Sequence, residues 1–153
     1  MSSITIDTSE ITALANRMEG APRIIQAELT EAMREGTQLV TQRARQIAPK
    51  GKTKELSRRI TPEVRVLGLN VEGIVTAQAR HSRWIEEGRG PVVARRAKAL
   101  RFEVGGQVLF RTSVGPAAAQ PFMRPALRQS ELQIRTAFRD ATRRAIAKLL
   151  GGG

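Results

Sequence analysis

Two long stretches with helical periodicity enclose a middle segment of short alternating stretches, and this order restricts the fold of the chain more than any other feature. In the first stretch, apolar or small residues recur three and four positions apart from Ile25 to Ile47, which predicts an amphipathic helix over residues 23–47. Pro22 suits the first turn of such a helix, and Pro49 stops it. On the polar side we expect Glu28, Glu31, Glu35, Gln38 and Gln42.

The second long stretch predicts a helix over residues 125–150 that has two different faces. One face is apolar and suits the core: Leu127, Ile134, Phe138, Ala141, Ala145 and Leu149. The other lies roughly 100° around the helix and is cationic. We call it the arginine ridge, and it consists of Arg124, Arg128, Arg135, Arg139 and Arg143.

The middle of the chain predicts strands. Residues 63–67 and 71–75 alternate polar and apolar side chains across a short turn, and residues 99–104 and 107–110 flank a Gly-Gly pair that is typical of a hairpin turn. Between the two pairs, a short helix should end at Gly88. Helices, strands and a final helix in this order predict one α+β domain over residues 1–153, with an antiparallel sheet of about four strands packed against the two long helices.

The remaining segments are predicted as accessory parts of that domain. Residues 1–10 suit a short strand or arm, followed by a short helix with Ile11, Leu14 and Met18 on one face. Residues 49–59 suit a flexible basic loop, and residues 151–153 a flexible tail. No secretion signal and no stretch of about 18 apolar residues is present, so we expect no membrane association.

Charge is distributed unevenly along the chain. The net charge is +12, but residues 1–49 carry five basic and six acidic residues, whereas residues 50–153 carry 21 basic and eight acidic ones. Of the 26 basic residues 21 are arginine, which forms bidentate contacts with phosphates and carboxylates. The basic loop contributes Lys50, Lys52, Lys54, Arg58 and Arg59, and with the arginine ridge it forms the candidate interface or DNA-facing set. Aromatic residues make up 3% of the chain, which disfavours stacking on single-stranded bases.

Residues suited to catalysis are scarce, and we expect no enzyme, no cofactor and no metal site. The chain has no cysteine and a single histidine, His81. Gly-Gly-Gln at 105–107 matches the tripeptide of peptide-release factors, but its position between two alternating stretches favours a hairpin turn. A triad with His81 and Ser82 lacks a nucleophile elbow. Glu86 and Glu87 are adjacent, so on a helix they point about 100° apart and do not share a metal.

Three segments carry further patterns. APKGKTKELSRRI follows the form "AP…TG.L..SI", residues 81–89 follow "YA.YVE.GT" without its tyrosines, and QPFMRPA ends a "G…P.PFMRPA" segment. In this order the segments resemble the neck or tail-completion (head–tail joining) proteins of long-tailed bacteriophages. The residues that match are Pro49, Thr53, Leu56, Trp84, Glu86, Gly88, Pro121, Phe122, Pro125 and Ala126.

The resemblance implies a virion structural protein at the neck or upper tail, assembled in the host cytoplasm as a ring, with a hexamer expected from the sixfold tail. It implies a head-completion (stopper) protein, a tail terminator or a tail tube protein as neighbours. Non-specific contact with packaged DNA is a further expectation, and the sequence leaves open whether the basic loop faces DNA or protein, whereas the arginine ridge is expected at an interface. Three alternatives remain open at this stage: the tail terminator itself, a basic module that binds nucleic acid without sequence preference, and a ribosome-rescue hydrolase that would use Gln107 of Gly-Gly-Gln.

The motif residues also have structural interpretations. Phe122 and Met123 are expected to pack beneath the start of the last helix, where Pro125 fits the first turn. Trp84 and Ile85 are expected to anchor the short helix on the sheet.

Overall fold

The computed structural model describes residues 19–51, 54–68, 70–95 and 98–151. Long helices at both ends of this part enclose short helices and antiparallel strands. In chain order the elements are α1 (Ala21–Ile47), α2 (Glu55–Arg58), β1 (Ile60–Leu67), β2 (Asn70–Ala77), α3 (Ser82–Glu87), β3 (Val92–Val93), β4 (Leu100–Val104), β5 (Gln107–Arg111), β6 (Ser113–Val114) and α4 (Met123–Gly151).

Prolines set the limits of helix α1. Pro22 lies in its first turn, where a missing N–H removes no helical hydrogen bond. At the other end Ala48 donates its N–H to the carbonyl of Ala44 (2.8 Å), and Pro49 cannot continue the ladder. The predicted helix over 23–47 is confirmed, with a start two residues earlier.

Helix α4 buries small residues against the rest of the fold, among them Ala141 and Ala145 of the predicted apolar stripe. Leu127 of the same stripe is wrongly predicted as core, because it is exposed. At the level of Leu127, α4 borders an open apolar groove of about 410 Å³, whose described lining comes from α1, β2 and α4.

The core lies where α1, the β1–β2 hairpin and the first turns of α4 meet. Ile60, Phe122 and Ala126 are completely buried, and Ile134 packs against them from α4. A Cβ on Gly36 would lie 3.5 Å from Cγ1 of Ile134, an ordinary van der Waals distance, so Ile134 of α4 faces α1 at this point with room for a methyl group. The other members of the buried cluster are Val40, Ala44, Ala48, Leu56 and Ala79.

A glycine allows the β1–β2 hairpin to pack closely against α1. The two strands pair antiparallel over all eight residues of each. A Cβ on Gly73 would lie 2.6 Å from Cγ2 of Thr37 and still closer to the sulfur of Met33, both on α1. Any side chain at this position would therefore push the hairpin away from the helix.

The α+β class and the packing of strands on the long helices are confirmed. Within the described ranges the strands form three separate two-stranded ribbons, β1–β2, β3–β6 and β4–β5, where the sequence predicts one sheet of about four strands. Gly105 and Gly106 have φ of 62° and 86° between β4 and β5. Positive φ at both positions is what a two-residue hairpin turn requires, so the hairpin interpretation of Gly-Gly-Gln is confirmed.

The predicted flexible loop at 49–59 is wrong in its second half. Residues 55–58 form helix α2, because Leu56 is buried in the core and fixes this segment against the domain. Lys54 precedes the helix in the left-handed region, with φ of 51°. Lys52 and Thr53 lie outside the described residues.

Predictions for the two ends of the chain mostly fall outside the described residues. These are the strand or arm at 1–10, the short helix after it, and residues 152–153 of the tail. Gly151 was assigned to the flexible tail wrongly, because it is the last residue of α4. Among the described helices, none combines the length and the apolar character that crossing a bilayer requires.

Candidate assembly surface

The three motif segments are distant in sequence and meet at one junction in the fold. Leu56 from the first segment and Phe122 and Ala126 from the third belong to the same buried cluster. Ile85, from the second segment, packs against that cluster. The expected packing of Phe122 and Met123 beneath the start of α4 is confirmed, since Phe122 is fully buried and Met123 contacts the core.

Glu86 on α3 caps the N-terminus of α4. Its carboxylate accepts hydrogen bonds from the backbone N–H groups of Phe122 (2.7 Å), Met123 (3.0 Å) and Arg124 (3.1 Å). Burial raises the pKa of Glu86, but the three N–H donors and the charge of Arg124 outweigh burial, so the pKa lies below its ordinary value of 4.5. The carboxylate thus joins two motif segments that are 36 residues apart.

The local sequence gives one signal for this cap, which is that no usual N-cap residue precedes α4. Ser, Thr, Asp and Asn are the usual N-cap residues, yet the residues just before α4 are Gln120, Pro121 and Phe122. A helix that begins without a local cap needs an acceptor from elsewhere. The motif pattern marks Glu86, but its contact with α4 follows only from the tertiary fold.

Next to the cap, backbone contacts bring the two ends of the segment between α3 and α4 together. Arg89 and Ala117 exchange two backbone hydrogen bonds (3.0 and 2.9 Å), and Gln120 donates its N–H to the carbonyl of Ile85 (2.7 Å). Gly88 has φ of 78°, and a Cβ there would lie 2.9 Å from the carbonyl oxygen of Ala117. Glycine at position 88 is required both for the positive φ and for this close approach.

Trp84 does not anchor α3 on the sheet, contrary to prediction. Its side chain is 57% exposed, whereas Ile85 next to it faces the core. Adjacent residues of a helix point about 100° apart, so on α3 one side chain can face the core while its neighbour remains at the surface. Pro121 is exposed, and Pro49 and Pro125 are half-buried, so these motif prolines shape the backbone more than they fill the core.

Glu28 was predicted on the solvent side of α1 and lies instead between the two long helices. It is buried, and it accepts hydrogen bonds from Arg144 (2.7 Å) and Lys148 (2.5 Å) on α4. Hydrogen bonds from Lys148 and Arg144 hold the pKa of Glu28 below its ordinary value. Part of the charge complementarity between the two halves of the sequence is therefore satisfied within one chain.

We expect Glu28→Gln to lower the melting temperature by a few degrees, because both cations on α4 lose their charged partner. The matched control is Glu31→Gln, which removes an exposed pair with Arg34 on the same helix and should leave the melting temperature nearly unchanged. Thermal unfolding followed by circular dichroism measures both variants. Equal melting temperatures for the two would contradict a stabilising role for Glu28.

The outer face of α4 combines cations with large apolar side chains. All five residues of the arginine ridge are exposed. Leu132, Ile146 and Leu150 are exposed as well, Leu132 at 76%. At about 100° per residue, these eight residues fall within an arc of about 100°. The ridge is therefore not purely cationic, and we call this surface the α4 outer face.

Ion pairs neutralise only part of the α4 outer face. Arg135 pairs with Glu131 (2.5 Å) and Arg143 with Asp140 (3.7 Å) on the same helix. Among the residues that the structure describes, Arg124, Arg128 and Arg139 form no ion pair. Within the described part of the chain, three guanidinium groups of this face therefore have no carboxylate partner.

The described cations of the basic loop lie on α2 and in the residues that flank it. Lys50, Lys54, Arg58 and Arg59 are exposed. Arg59 pairs with Glu55 at 3.4 Å. The described members of the candidate set thus belong to two groups of residues, one on α4 and one around α2.

The polar residues considered but set aside on sequence grounds for catalysis or metal binding have structural partners. Ser82 donates its hydroxyl to the carbonyl of Ala77 (2.9 Å), and Glu87 pairs with Arg83 (2.9 Å) while Glu86 caps α4. In the described ranges no three His, Cys, Asp or Glu side chains are grouped so that they would hold a metal ion. Comparison of the chain with family models, curated proteins and solved structures gives no match.

Proposed function

We propose that this chain is a structural, non-catalytic subunit of a long-tailed bacteriophage virion, located at the neck or upper tail. Copies assemble in the host cytoplasm as a ring that joins head and tail around the DNA channel. The observation that carries the proposal is the junction of the three motif segments, where Leu56, Glu86 and Phe122 come together. Segments that resemble one protein family in sequence thus also form one structural unit.

The α4 outer face supports the ring. Arginine is enriched at subunit interfaces, and large apolar side chains that are exposed together on one surface mark interaction sites. A closed ring uses a heterologous contact, in which this face meets a different surface of the next subunit. The sixfold symmetry that the family resemblance implies makes a hexamer our choice.

The proposed neighbours are a head-completion (stopper) protein on one side of the ring and a tail terminator or tail tube protein on the other. The cations around α2 are candidates for contact with these proteins or with packaged DNA. Lys50, Lys54 and Arg58 support this role because none of them forms an ion pair within the described chain.

Two alternative functions remain. A tail terminator would use the same ring to cap the tail tube. A basic module that binds nucleic acid without a ring is favoured by the excess of unpaired cations, since attraction to phosphate requires little else. Particles assembled without this protein separate the structural roles: unjoined heads and tails indicate a neck protein, and tails of abnormal length indicate a terminator.

We expect native mass spectrometry of the full chain to show a species of six times 16.8 kDa. The double variant Leu132→Asp with Ile146→Asp should shift it to the monomer mass, because two charges are placed in the interface. The matched control, Val104→Asp with Phe110→Asp, changes two exposed apolar residues outside α4 and should leave the hexamer intact. A wild-type chain that stays monomeric, alone and with purified tails, would rule out the ring.

A further inference from the structure

The segment between α3 and α4 carries a third group of cations, to which the proposed ring assigns no role. Residues 92–114, which we call the β-arm, contain the β3–β6 and β4–β5 ribbons. The paired strands contact each other more than any other element. In the described part of the β-arm, four residues are basic and one, Glu103, is acidic: the basic residues are Arg95, Lys98, Arg101 and Arg111.

These four cations are exposed, and none forms an ion pair with a described residue. Elsewhere on the surface, arginines such as Arg83 and Arg135 pair with a glutamate four residues away. The β-arm has one carboxylate for its four cations, so ion pairs with the described residues do not neutralise its charge, and this favours an anionic partner.

The register of the β4–β5 ribbon places cations on both of its faces. Arg101 lies opposite Phe110, and Arg111 lies opposite Leu100. Paired residues share a face of a ribbon and successive residues alternate, so Arg101 and Arg111 project to opposite faces. A flat protein surface would meet only one of these faces. A groove with a row of negative charge on each wall would meet both.

The size and tip of the ribbon fit such a groove. Five residues in each strand give a length of about 17 Å, and the major groove of duplex DNA, about 12 Å wide, admits a two-stranded ribbon. Gly105 and Gly106 form the tip, where the absence of side chains allows the backbone to approach closely. We propose that the β-arm binds duplex DNA through its phosphate backbone, with Arg101 and Arg111 contacting the two strands that border one groove.

This inference deepens the proposed function and rests on it for its setting, a ring through which DNA passes. The experiment measures binding of the full chain to a labelled duplex of mixed sequence by fluorescence anisotropy over a salt series. Arg101→Glu with Arg111→Glu removes the two contacts. The matched control, Arg23→Glu with Arg80→Glu, makes the same change in net charge at two exposed arginines outside the β-arm and α4.

Log affinity falls with log salt, and each phosphate contact makes this negative slope steeper by about 0.9. We therefore expect the β-arm variant to make the slope shallower by about 2 and to weaken binding about tenfold or more near 0.1 M salt, while the control stays close to wild type. Equal losses in both variants, or no binding of the wild type at low salt, would overturn the proposal.

Native mass spectrometry of the same variants separates this inference from the ring. A β-arm variant that keeps the hexamer and loses DNA supports the inference. A variant that loses the hexamer as well would place Arg101 and Arg111 in a contact between copies and overturn it. If the wild type is monomeric and still binds DNA through the β-arm, the DNA contact stands and the ring fails.

Discussion

Phe122→Ala is expected to destabilise the fold by about 3–5 kcal/mol, the range for removing a buried phenylalanine from a core. Phe122 is completely buried at the point where the motif segments meet, and its neighbours come from α1, α2, β1 and α4. A cavity there cannot be filled by a shift of one element, because several elements line it. Equilibrium unfolding in urea, monitored by circular dichroism, measures the loss as a lower midpoint.

The control for this experiment is Phe110→Ala, the same chemical change on a side chain that is 65% exposed on β5. It should alter the free energy of unfolding by no more than about 0.5 kcal/mol. If the two variants lost similar stability, the junction around Phe122 would not be the structural centre of the domain.

Glu86→Ala is expected to cost about 1–3 kcal/mol, because three backbone N–H groups at the start of α4 lose a charged acceptor. Glu87→Ala is its control: the neighbouring carboxylate is exposed and pairs only with Arg83 in the same helix, so a change within about 0.5 kcal/mol is expected. Urea unfolding near neutral pH compares the two. A larger loss from Glu87→Ala would contradict the assignment of the cap.

The effect of Glu86→Ala should also depend on pH. Since the pKa of Glu86 is lowered in the folded state, its carboxylate stabilises the fold fully above the ordinary value of 4.5. That contribution is lost as the pH falls through the lower folded-state pKa. The difference in stability between wild type and Glu86→Ala should therefore narrow below pH 4.5, and a difference that widened there would exclude this linkage.

Features that depend on local sequence are those that the sequence predicts well. The two long helices follow from apolar residues at helical spacing and from prolines at 22 and 49, because periodicity and the missing proline N–H act within one segment. The β4–β5 hairpin follows from Gly105 and Gly106 for the same reason. Its two glycines favour the turn whatever surrounds it.

Features that depend on contacts between distant segments were missed or misplaced. Glu28 looks like a solvent residue until α4 brings Arg144 and Lys148 beside it. Trp84 looks like a core residue, although Ile85 takes the inward position on α3. The strands β3 and β6 leave no alternating pattern to detect, because each has only two residues and an alternation needs more than one period to be recognised.

Arg89 and Ala117 pair through their backbones, so the segment between them leaves the body of the domain and returns to it at the same place. The two ends of this segment lie side by side, and the entropic cost of closing such a loop grows only with the logarithm of its length. Insertions or deletions within it therefore leave Glu86, Phe122 and the rest of the junction in place. During evolution, this segment can change its length and its contacts while the core that supports it stays the same.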